Sequence, residues 1–323
     1  MSQKRIDKKL KIAGGVAAAG ILAAQFAGAG YLFRRTVTRK GADVGRTMDM
    51  AGTDWEQYMP FIKSCHQWQD EQYREDVWIT ARDGLRLHGT YFPGKEGREG
   101  TPKRLVIAFH GYSSEGMKDY TALSRFYIRD LGCAMLMVDQ RSHGQSQGEY
   151  IGFGVLDRYD ALSWIEYVNG RLGTDVEIYL HGTSMGGATV VMTSGQKLPD
   201  NVKGIISDCA FTSAFDVFSH VLKSWYHLPP FPMMQIAGLL SRKKAGYGLK
   251  ECDGAKEVEK AQVPILFIHG DKDNFVPVEM CEKLYQNCRS PKQKLIVAGA
   301  SHAESYYKDT QSYQEAIREF FHL

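Results

Sequence analysis

The sequence predicts an α/β fold whose central sheet is mostly parallel and lies between two layers of helices. Three short apolar runs support this prediction, and each alternates with stretches of helical spacing: Leu105 to Phe109, Ala134 to Val138 and Pro264 to His269. Buried strands that alternate with helices are typical of parallel sheets covered on both faces. With 323 residues, the chain is long enough for one large domain of this class with an insertion, or for two small domains.

The composition is that of an ordinary globular protein, with 43% apolar and 24% charged residues. The formal net charge is +3, and much of the basic excess lies near the amino terminus. The folded part therefore carries no strongly basic surface, which argues against nucleic acid as a partner. The six cysteines show neither C-x-x-C pairing nor zinc-like spacing with histidine, so we expect no metal, and they leave the redox compartment open.

The stretch from Ile12 to Phe33 contains no charged residue, has basic residues on both sides and is long enough to cross a bilayer as a helix. It predicts a single membrane-spanning anchor within residues 1–40. Two alternatives stay open: a cleaved signal peptide ending near residues 27–29, and a buried helix of a soluble protein. The length of the run and the basic cluster after it favour the anchor, while the balanced charges leave its orientation and the side of the membrane open.

Residues 41–75 are polar with interspersed aromatic side chains, and they are predicted to form a connecting segment that packs on the main domain. The domain itself is predicted to run from residue 76 to residue 323. It begins with two strand-like runs, Val77 to Thr80 and Leu85 to Phe92, separated by a short turn. Two strands joined in this way are typical of a β-hairpin.

A polar loop, residues 139–146, follows the strand-like run that ends at Val138. We interpret Asp139 and Arg141 as a structural pair, because a carboxylate and a guanidinium can join by two charge-assisted hydrogen bonds. His143 is a candidate base in addition to the histidine considered below. The favoured interpretation is a loop histidine that lies near the catalytic residues but takes no part in the reaction.

The stretch from Val176 to Thr193 organises the rest of the chain. Its first half predicts a buried strand and its second half a helix, with Gly182-Thr183-Ser184-Met185-Gly186 at the turn. A serine at such a bend can expose its hydroxyl, and glycines on both sides let strand and helix approach. The pentapeptide alone would be a weak signal in a chain with 33 glycines, and its place between strand and helix strengthens it.

A serine hydroxyl is a poor nucleophile at neutral pH, so this interpretation requires a histidine base and an acid that orients it. Both residue types follow in the chain. Asp271 and Asp273 come after the strand-like run that ends at His269, and His302 closes the stretch 299–302. Asp208, at the end of another strand-like run, is a third candidate acid.

These features together resemble the α/β-hydrolase superfamily, within the group that includes monoacylglycerol-lipase-like, Bem46-like and S33 peptidase-like proteins. The resemblance extends from about Asp76 to the end of the chain and rests on the serine turn, on the loop 139–146 and on residues 269–277, which match H-G-x-x-D-x-x-V-P. It implies an α/β-hydrolase fold with Ser184 as nucleophile, Asp273 as acid and His302 as base.

The same resemblance implies an oxyanion hole made by the backbone amides of Tyr112 and Met185. It implies no cofactor. Residues 211–258 interrupt the strand pattern with prolines, aromatic residues and methionines, which predicts a helical lid, with plain packing between helices as the alternative.

We therefore predict a membrane-tethered serine hydrolase that cleaves carboxylic esters through an acyl-enzyme on Ser184. Its partners would be a small-molecule ester or acyl substrate and, through residues 12–33, a membrane. Two alternatives remain: a peptidase or amidase of the S33 type, and a tethered binding module that has lost activity. The triad chemistry is common to esters, thioesters and amides, so the substrate is left open.

Overall fold

The computed structural model describes residue 20, residues 25–39 and residues 53–322. Its strands follow the chain in this order: β1 (Glu75–Thr80), β2 (Arg86–Phe92), β3 (Arg104–Phe109), β4 (Ala134–Val138), β5 (Glu177–Thr183), β6 (Val202–Asp208), β7 (Ile265–Gly270) and β8 (Lys292–Val297). Within the described residues they form one sheet in the order β1-β2-β4-β3-β5-β6-β7-β8.

The sheet is antiparallel where β1 pairs with β2 and β2 with β4, and parallel at each of its remaining pairings. The predicted mostly parallel sheet is confirmed. Because parallel strands end at the same edge of a sheet, the loops after β3, β5, β6, β7 and β8 come together there. In register, Phe109 pairs with Gly182, and Thr183 pairs with Asp208. This edge is where the candidate site lies.

Helices cover both faces of the sheet: α1 (Met59–Asp70), α2 (Gly94–Glu99), α3 (Gly116–Asp119), α4 (Thr121–Ser124), α5 (Asp157–Leu172), α6 (Met185–Thr193), α7 (Ala214–Ser224), α8 (Met233–Lys244), α9 (Gly254–Glu257), α10 (Val278–Asn287), α11 (Ser305–Lys308) and α12 (Thr310–Phe320). Residues 125–130 form a π-helical turn, and residues 56–58 and 258–260 form 3₁₀ turns.

Alternating side chains of β3 show how the two layers form. Leu105, Ile107 and Phe109 point into a core shared with α5, α6 and α10, whereas Val106 and Ala108 point into a core shared with α1, α4 and α12. Successive side chains of a strand face opposite sides of the sheet, so an uninterrupted apolar run serves both cores. This is why the central strands could be predicted from continuous apolar runs.

The interval between β6 and β7 contains α7 and α8, whose buried side chains belong to a third apolar cluster together with side chains of α6, which begins at the carboxyl edge of the sheet. In α7 the buried positions are Ala214, Val217 and Leu222, on one face of the helix. The interval corresponds to the predicted insertion at 211–258.

Residues 25–36 are helical and pack on this third cluster. Ala29 and Phe33, one helical turn apart, are 0% and 4% exposed, whereas Phe26 on another face is 57% exposed. The predicted anchor, 12–33, lies mostly outside the described residues, which include only residue 20 and residues 25–33 of it. Within residues 20, 25–39 and 53–322, no helix combines the length and the apolar character needed to cross a membrane.

All six cysteines are buried and none forms a disulfide. Cys65 lies on α1, Cys281 on α10, and Cys209 directly after β6. Cys65 behaves as a small apolar side chain in its core, whereas Cys252 accepts a hydrogen bond from Arg158 (2.7 Å).

Candidate active site

Ser184 sits at the sharp turn between β5 and α6, with φ 56° and ψ −112°. Positive φ is rare for a residue with a Cβ and is a strained conformation. The turn is so tight that a Cβ on Gly186 would overlap the carbonyl oxygen of Phe109, and one on Gly182 would overlap the backbone of Gly186. The amide of Ser184 donates to the carbonyl of Asp208 (2.8 Å). These contacts fix the hydroxyl at the carboxyl edge of the sheet.

His302 lies between Ser184 and Asp273. The Ser184 hydroxyl is 2.8 Å from His302 Nε2, and His302 Nδ1 is 2.7 Å from Asp273 Oδ2. A carboxylate can only accept, so Nδ1 carries the proton and Nε2 is left to accept from the serine. The three predicted residues are thus brought together from three loops of the same sheet edge. The arrangement can move a proton from the hydroxyl to the imidazole.

The Asp273 carboxylate is held from several sides. Its Oδ1 accepts hydrogen bonds from the amides of Phe275 (2.9 Å) and Val276 (2.8 Å), and its Oδ2 lies 3.2 Å from His269 Nε2. Burial opposes ionisation, but the contacts with His302 and His269 outweigh it and hold the pKa of Asp273 well below its usual range. Asp273 is therefore a carboxylate at neutral pH.

The two competing acids have other partners. Asp271 accepts from the amide of Gly299 (2.6 Å). Asp208 accepts from the hydroxyl of Tyr313 (3.0 Å), and burial raises the pKa of Asp208 to about 6. Asp271 thus joins the loops after β7 and β8, and Asp208 meets α12, whereas the acid bonded to His302 is Asp273.

The loop after β3 passes beside the nucleophile. A Cβ on Gly111 would lie 3.4 Å from the Cβ of Ser184. The amide of Gly111 donates to Asp119 Oδ2 (2.7 Å), and the hydroxyl of Ser114 donates to the other oxygen of this carboxylate. Tyr112, whose amide is a predicted oxyanion donor, therefore belongs to a loop that is fixed next to Ser184. Met185, the other predicted donor, begins α6 directly after the serine.

His143 supports this loop. Its Nε2 accepts from the amide of Ser113 (3.3 Å), and its Nδ1 donates to the carbonyl of Arg141 (3.0 Å). Both ring nitrogens thus serve backbone groups, which agrees with the favoured interpretation of His143 as a loop residue.

The predicted pairing of Asp139 with Arg141 is wrong. Arg141 binds Asp160 of α5 through two hydrogen bonds (2.6 and 2.7 Å) and reaches Asp83 at 2.9 Å. Asp139 instead accepts from His88 (2.8 Å) and from loop amides. Residues two apart in a loop point in different directions, so each acidic or basic group finds a partner on a neighbouring element.

Two neighbours of His302 had no distinctive sequence pattern. The Phe275 ring lies edge-on to the imidazole, with centroids 4.9 Å apart. Cys209 places a thiol in a group with Asp273 and His302 whose ligand atoms all lie within 4.8 Å of one another. The donor types would suit a soft divalent ion. However, the carboxylate and imidazole already share a hydrogen bond, and burial raises the pKa of the Cys209 thiol, so we assign the group to the Ser184 site.

The residue after the serine, Met185, belongs to the third apolar cluster. The third cluster contains side chains from α6, from the loop before α5, from the insertion and from the amino-terminal helix: Met185, Phe153, Val217, Met233, Phe275 and Ala29 among them. Such a lining suits an apolar acyl or alcohol group next to the hydroxyl.

Comparisons with known proteins agree with the fold. The family model described as "Serine aminopeptidase, S33" matches residues 100–247. The chain is 30% identical over 220 residues to the uncharacterized protein YqkD of Bacillus subtilis, covering 68% of this chain and 71% of that one. It is 28% identical over 222 residues to the alpha/beta hydrolase domain-containing protein WAV2 of Arabidopsis thaliana, covering 65% of each.

Among solved structures, the esterase Pf2001 of Pyrococcus furiosus superimposes with a TM-score of 0.63 at 19% identity, over 79% of this chain and 94% of that one. At this identity the likeness concerns the fold.

Proposed function

The chain belongs to the α/β-hydrolase superfamily, and from this premise we propose that it is a membrane-tethered serine hydrolase that cleaves carboxylic esters through an acyl-enzyme on Ser184. The observation that carries the proposal is the hydrogen-bonded series Ser184, His302, Asp273 at a strained turn. A buried serine held at positive φ costs stability, and such strain is usually retained for function.

In the proposed reaction, the Ser184 oxygen attacks the carbonyl carbon of the ester while His302 Nε2 takes the hydroxyl proton. Asp273 stays ionised and stabilises the imidazolium through Nδ1. The alcohol leaves with the proton returned from Nε2. Water then attacks the acyl-enzyme in the same way and releases the acid.

The negative charge of each tetrahedral intermediate would be held by the amides of Tyr112 and Met185. The position of the two residues supports this role. Met185 begins α6 directly after the nucleophile, and Tyr112 follows Gly111, on which a Cβ would lie 3.4 Å from the Cβ of Ser184. Preorganised amides of this kind are usually among the largest contributors to catalysis.

An ester with an apolar acyl group suits the surroundings better than a peptide amine does. An aminopeptidase must neutralise a substrate ammonium beside the scissile bond. The acids of the loops around the serine, Asp119 and Asp273, already accept hydrogen bonds from the protein, and Met185 beside the serine belongs to the apolar third cluster. The match to the S33 model keeps peptide or amide hydrolysis as the second candidate.

We propose further that the insertion 211–258 acts as a lid and that the chain divides into an anchor (1–40), a connecting segment (41–75) and the hydrolase domain (76–323). Support for the lid comes from Trp225, at the end of α7, whose ring contacts Phe275 (5.5 Å) and through it the His302 imidazole. A lid would expose or cover the apolar cluster during substrate entry.

The membrane tether is supported by the uncharged run 12–33 and its basic flanks. Because Ala29 and Phe33 contact the domain, the membrane contact would involve the residues before them. Alkaline carbonate should leave the full chain in the membrane pellet and release a variant that lacks residues 1–24. Recovery of the full chain in the supernatant would remove the tether from the proposal.

The hydrolase proposal is tested with p-nitrophenyl esters graded from acetyl to dodecanoyl, an aminoacyl p-nitroanilide and a fluorophosphonate probe. We expect ester turnover that rises with acyl length, and stoichiometric labelling that disappears in Ser184→Ala. Faster turnover of the anilide would favour the peptidase. A chain that neither labels nor turns over any substrate would be the inactive binding module.

A further inference from the structure

The amino-terminal segment (residues 25–39) packs in the third apolar cluster, which also contains Met185, the residue directly after the nucleophile. Ala29, Phe33 and Val37 repeat every four residues and are all buried in the cluster that contains Met185. A Cβ on Gly28 would lie only 3.4 Å from Met233 Cε of α8. The segment thus packs between the insertion and the carboxyl edge of the sheet.

Residues 37–39 are tied to the loop before α5 by backbone and side-chain hydrogen bonds. Ile151 N donates to Val37 O (2.8 Å), and Arg39 N donates to Glu149 O (2.7 Å), on either side of a Thr38–Tyr150 bridge. The Arg39 guanidinium donates to the carbonyls of residues 144 and 146. The segment is therefore held in place by these hydrogen bonds as well as by apolar packing.

Tyr112 connects this segment to the candidate oxyanion loop. Its hydroxyl donates to the carbonyl of Thr36 (3.0 Å) and lies 3.5 Å from that of Arg35. The last carbonyls of a helix lack partners within the helix, so the phenol caps the amino-terminal helix. The Tyr112 ring stacks on Phe153, with centroids 5.5 Å apart. Ring and hydroxyl therefore hold the residue at two points.

We propose that Tyr112 is a positioning residue through its side chain: the bond from its hydroxyl to Thr36 O makes the amino-terminal segment a fixed support for the Tyr112 amide, which stabilises the oxyanion. The inference rests on the proposed function. It assigns a catalytic consequence to residues 25–39, which precede the connecting segment and lie outside the residues matched by the family model.

The physical reason is the precision that an oxyanion hole requires. Loss of one donor from such a site reduces kcat by about 10² to 10³. Here the amide would remain, but the loop would sample positions in which it points away from the oxygen. We therefore expect Tyr112→Phe to lower kcat by about tenfold, with KM for a short soluble ester within twofold of the unmodified chain.

A transition-state analogue separates positioning from general loosening of the structure. A trifluoromethyl ketone forms a tetrahedral adduct with an oxyanion, so its affinity should fall by the same factor as kcat/KM in Tyr112→Phe. Tyr167→Phe is the matched control, because its hydroxyl accepts from Arg171 on the exposed side of α5. That variant should retain the unmodified kcat and analogue affinity.

A second variant addresses the segment itself. Arg39→Met keeps the aliphatic stem and removes the bonds to residues 144 and 146. Arg39→Met should lower kcat, as Tyr112→Phe does. Because both substitutions act through one support, the double variant should lose less than the product of the two single losses.

The decisive readout is the rate at which fluorophosphonate labels Ser184 in the full chain and its variants. Slower labelling in Tyr112→Phe, together with weaker analogue binding, supports the inference. Equal rates and equal analogue affinities in Tyr112→Phe and the unmodified chain overturn the inference and leave the proposed function standing. Absence of labelling in the unmodified chain overturns both.

Discussion

The ring of Phe275 lies edge-on to the imidazole of His302, and Trp225 packs on the same ring from the end of α7. Phe275 also donates its amide to Asp273, so one residue restrains both the base and the acid. The insertion is thereby connected to the candidate active site through two aromatic contacts.

Phe275→Ala should lower kcat for a short soluble ester by about tenfold. The backbone bond to Asp273 remains, but the imidazole loses the surface that limits its rotation, and misplacement of about 1 Å can cost up to 10² in rate. Steady-state kinetics with p-nitrophenyl acetate measure this loss. Phe61→Ala, on the exposed face of α1, is the control and should leave kcat unchanged. An unaltered kcat in Phe275→Ala would show that Asp273 alone orients His302.

Asp273→Asn should reduce kcat at neutral pH by about 10⁴, because an amide can hold the imidazole with its proton on the wrong nitrogen. Asp271→Asn provides a control two residues away and should cost less than twofold. Since the pKa of Asp273 lies well below its usual range, loss of activity on acidification from neutrality should not reflect protonation of Asp273. A larger loss of kcat in Asp271→Asn than in Asp273→Asn would make Asp271 the acid that orients His302.

Asp208→Asn should become more stable relative to the unmodified chain as pH rises from about 4 to 7. Burial raises the pKa of Asp208 to about 6, above the unfolded value of about 3.9, so the folded state binds more protons in this window and its stability falls as pH increases. The asparagine avoids that cost, on the order of 2 kcal/mol, and can still accept from Tyr313.

Urea unfolding at pH 4 and pH 7 measures this difference. Asp175→Asn, on the exposed turn before β5, should change the free energy of unfolding by less than about 0.5 kcal/mol at either pH. If the free energies of unfolding of Asp208→Asn and the unmodified chain differ by the same amount at both pH values, the pKa of Asp208 is not raised by folding.

Arg141→Met should destabilise the protein by about 3 to 5 kcal/mol, because it leaves the buried carboxylate of Asp160 without its partner. Arg82→Met is the matched control. Its ion pair with Glu166 is exposed and should contribute less than about 1 kcal/mol. Chemical denaturation measures the free energy of unfolding of both variants. Equal losses would show that the buried pair of Arg141 with Asp160 contributes no more to stability than the exposed pair of Arg82 with Glu166.

Removal of residues 1–24 should leave esterase activity intact, whereas removal of residues 1–39 should abolish most of it. The longer deletion takes away Phe33 and Val37 and exposes the cluster around Met185. Turnover of a soluble ester and thermal melting of both truncated proteins test this. Full activity after the longer deletion would make the amino-terminal segment dispensable.

The central part of the fold could be predicted because its signals are local. Continuous apolar runs mark strands that are buried on both faces, and a serine between glycines marks the turn after β5. Asp273 and His302 lie in loops with recognisable patterns, and the structure places His302 between Asp273 and Ser184.

The contacts of Arg141 and of residues 25–39 could not be predicted in the same way. Which acid meets Arg141 depends on how α5 packs against the loop, and the sequence carries no local signal for that choice. The run 12–33 has the composition of a membrane anchor, but the same apolar character lets Ala29 and Phe33 pack on the domain. Composition alone does not distinguish lipid from protein as the apolar environment.

The burial of every cysteine makes the native protein a poor target for alkylating reagents. Any thiol that reacts must first reach solvent through a local or global opening. Pulsed alkylation followed by mass spectrometry would thus report how often α1, α10 and the loop after β6 separate from the sheet. The native thiols of Cys65, Cys281 and Cys209 serve as the labels for these three segments.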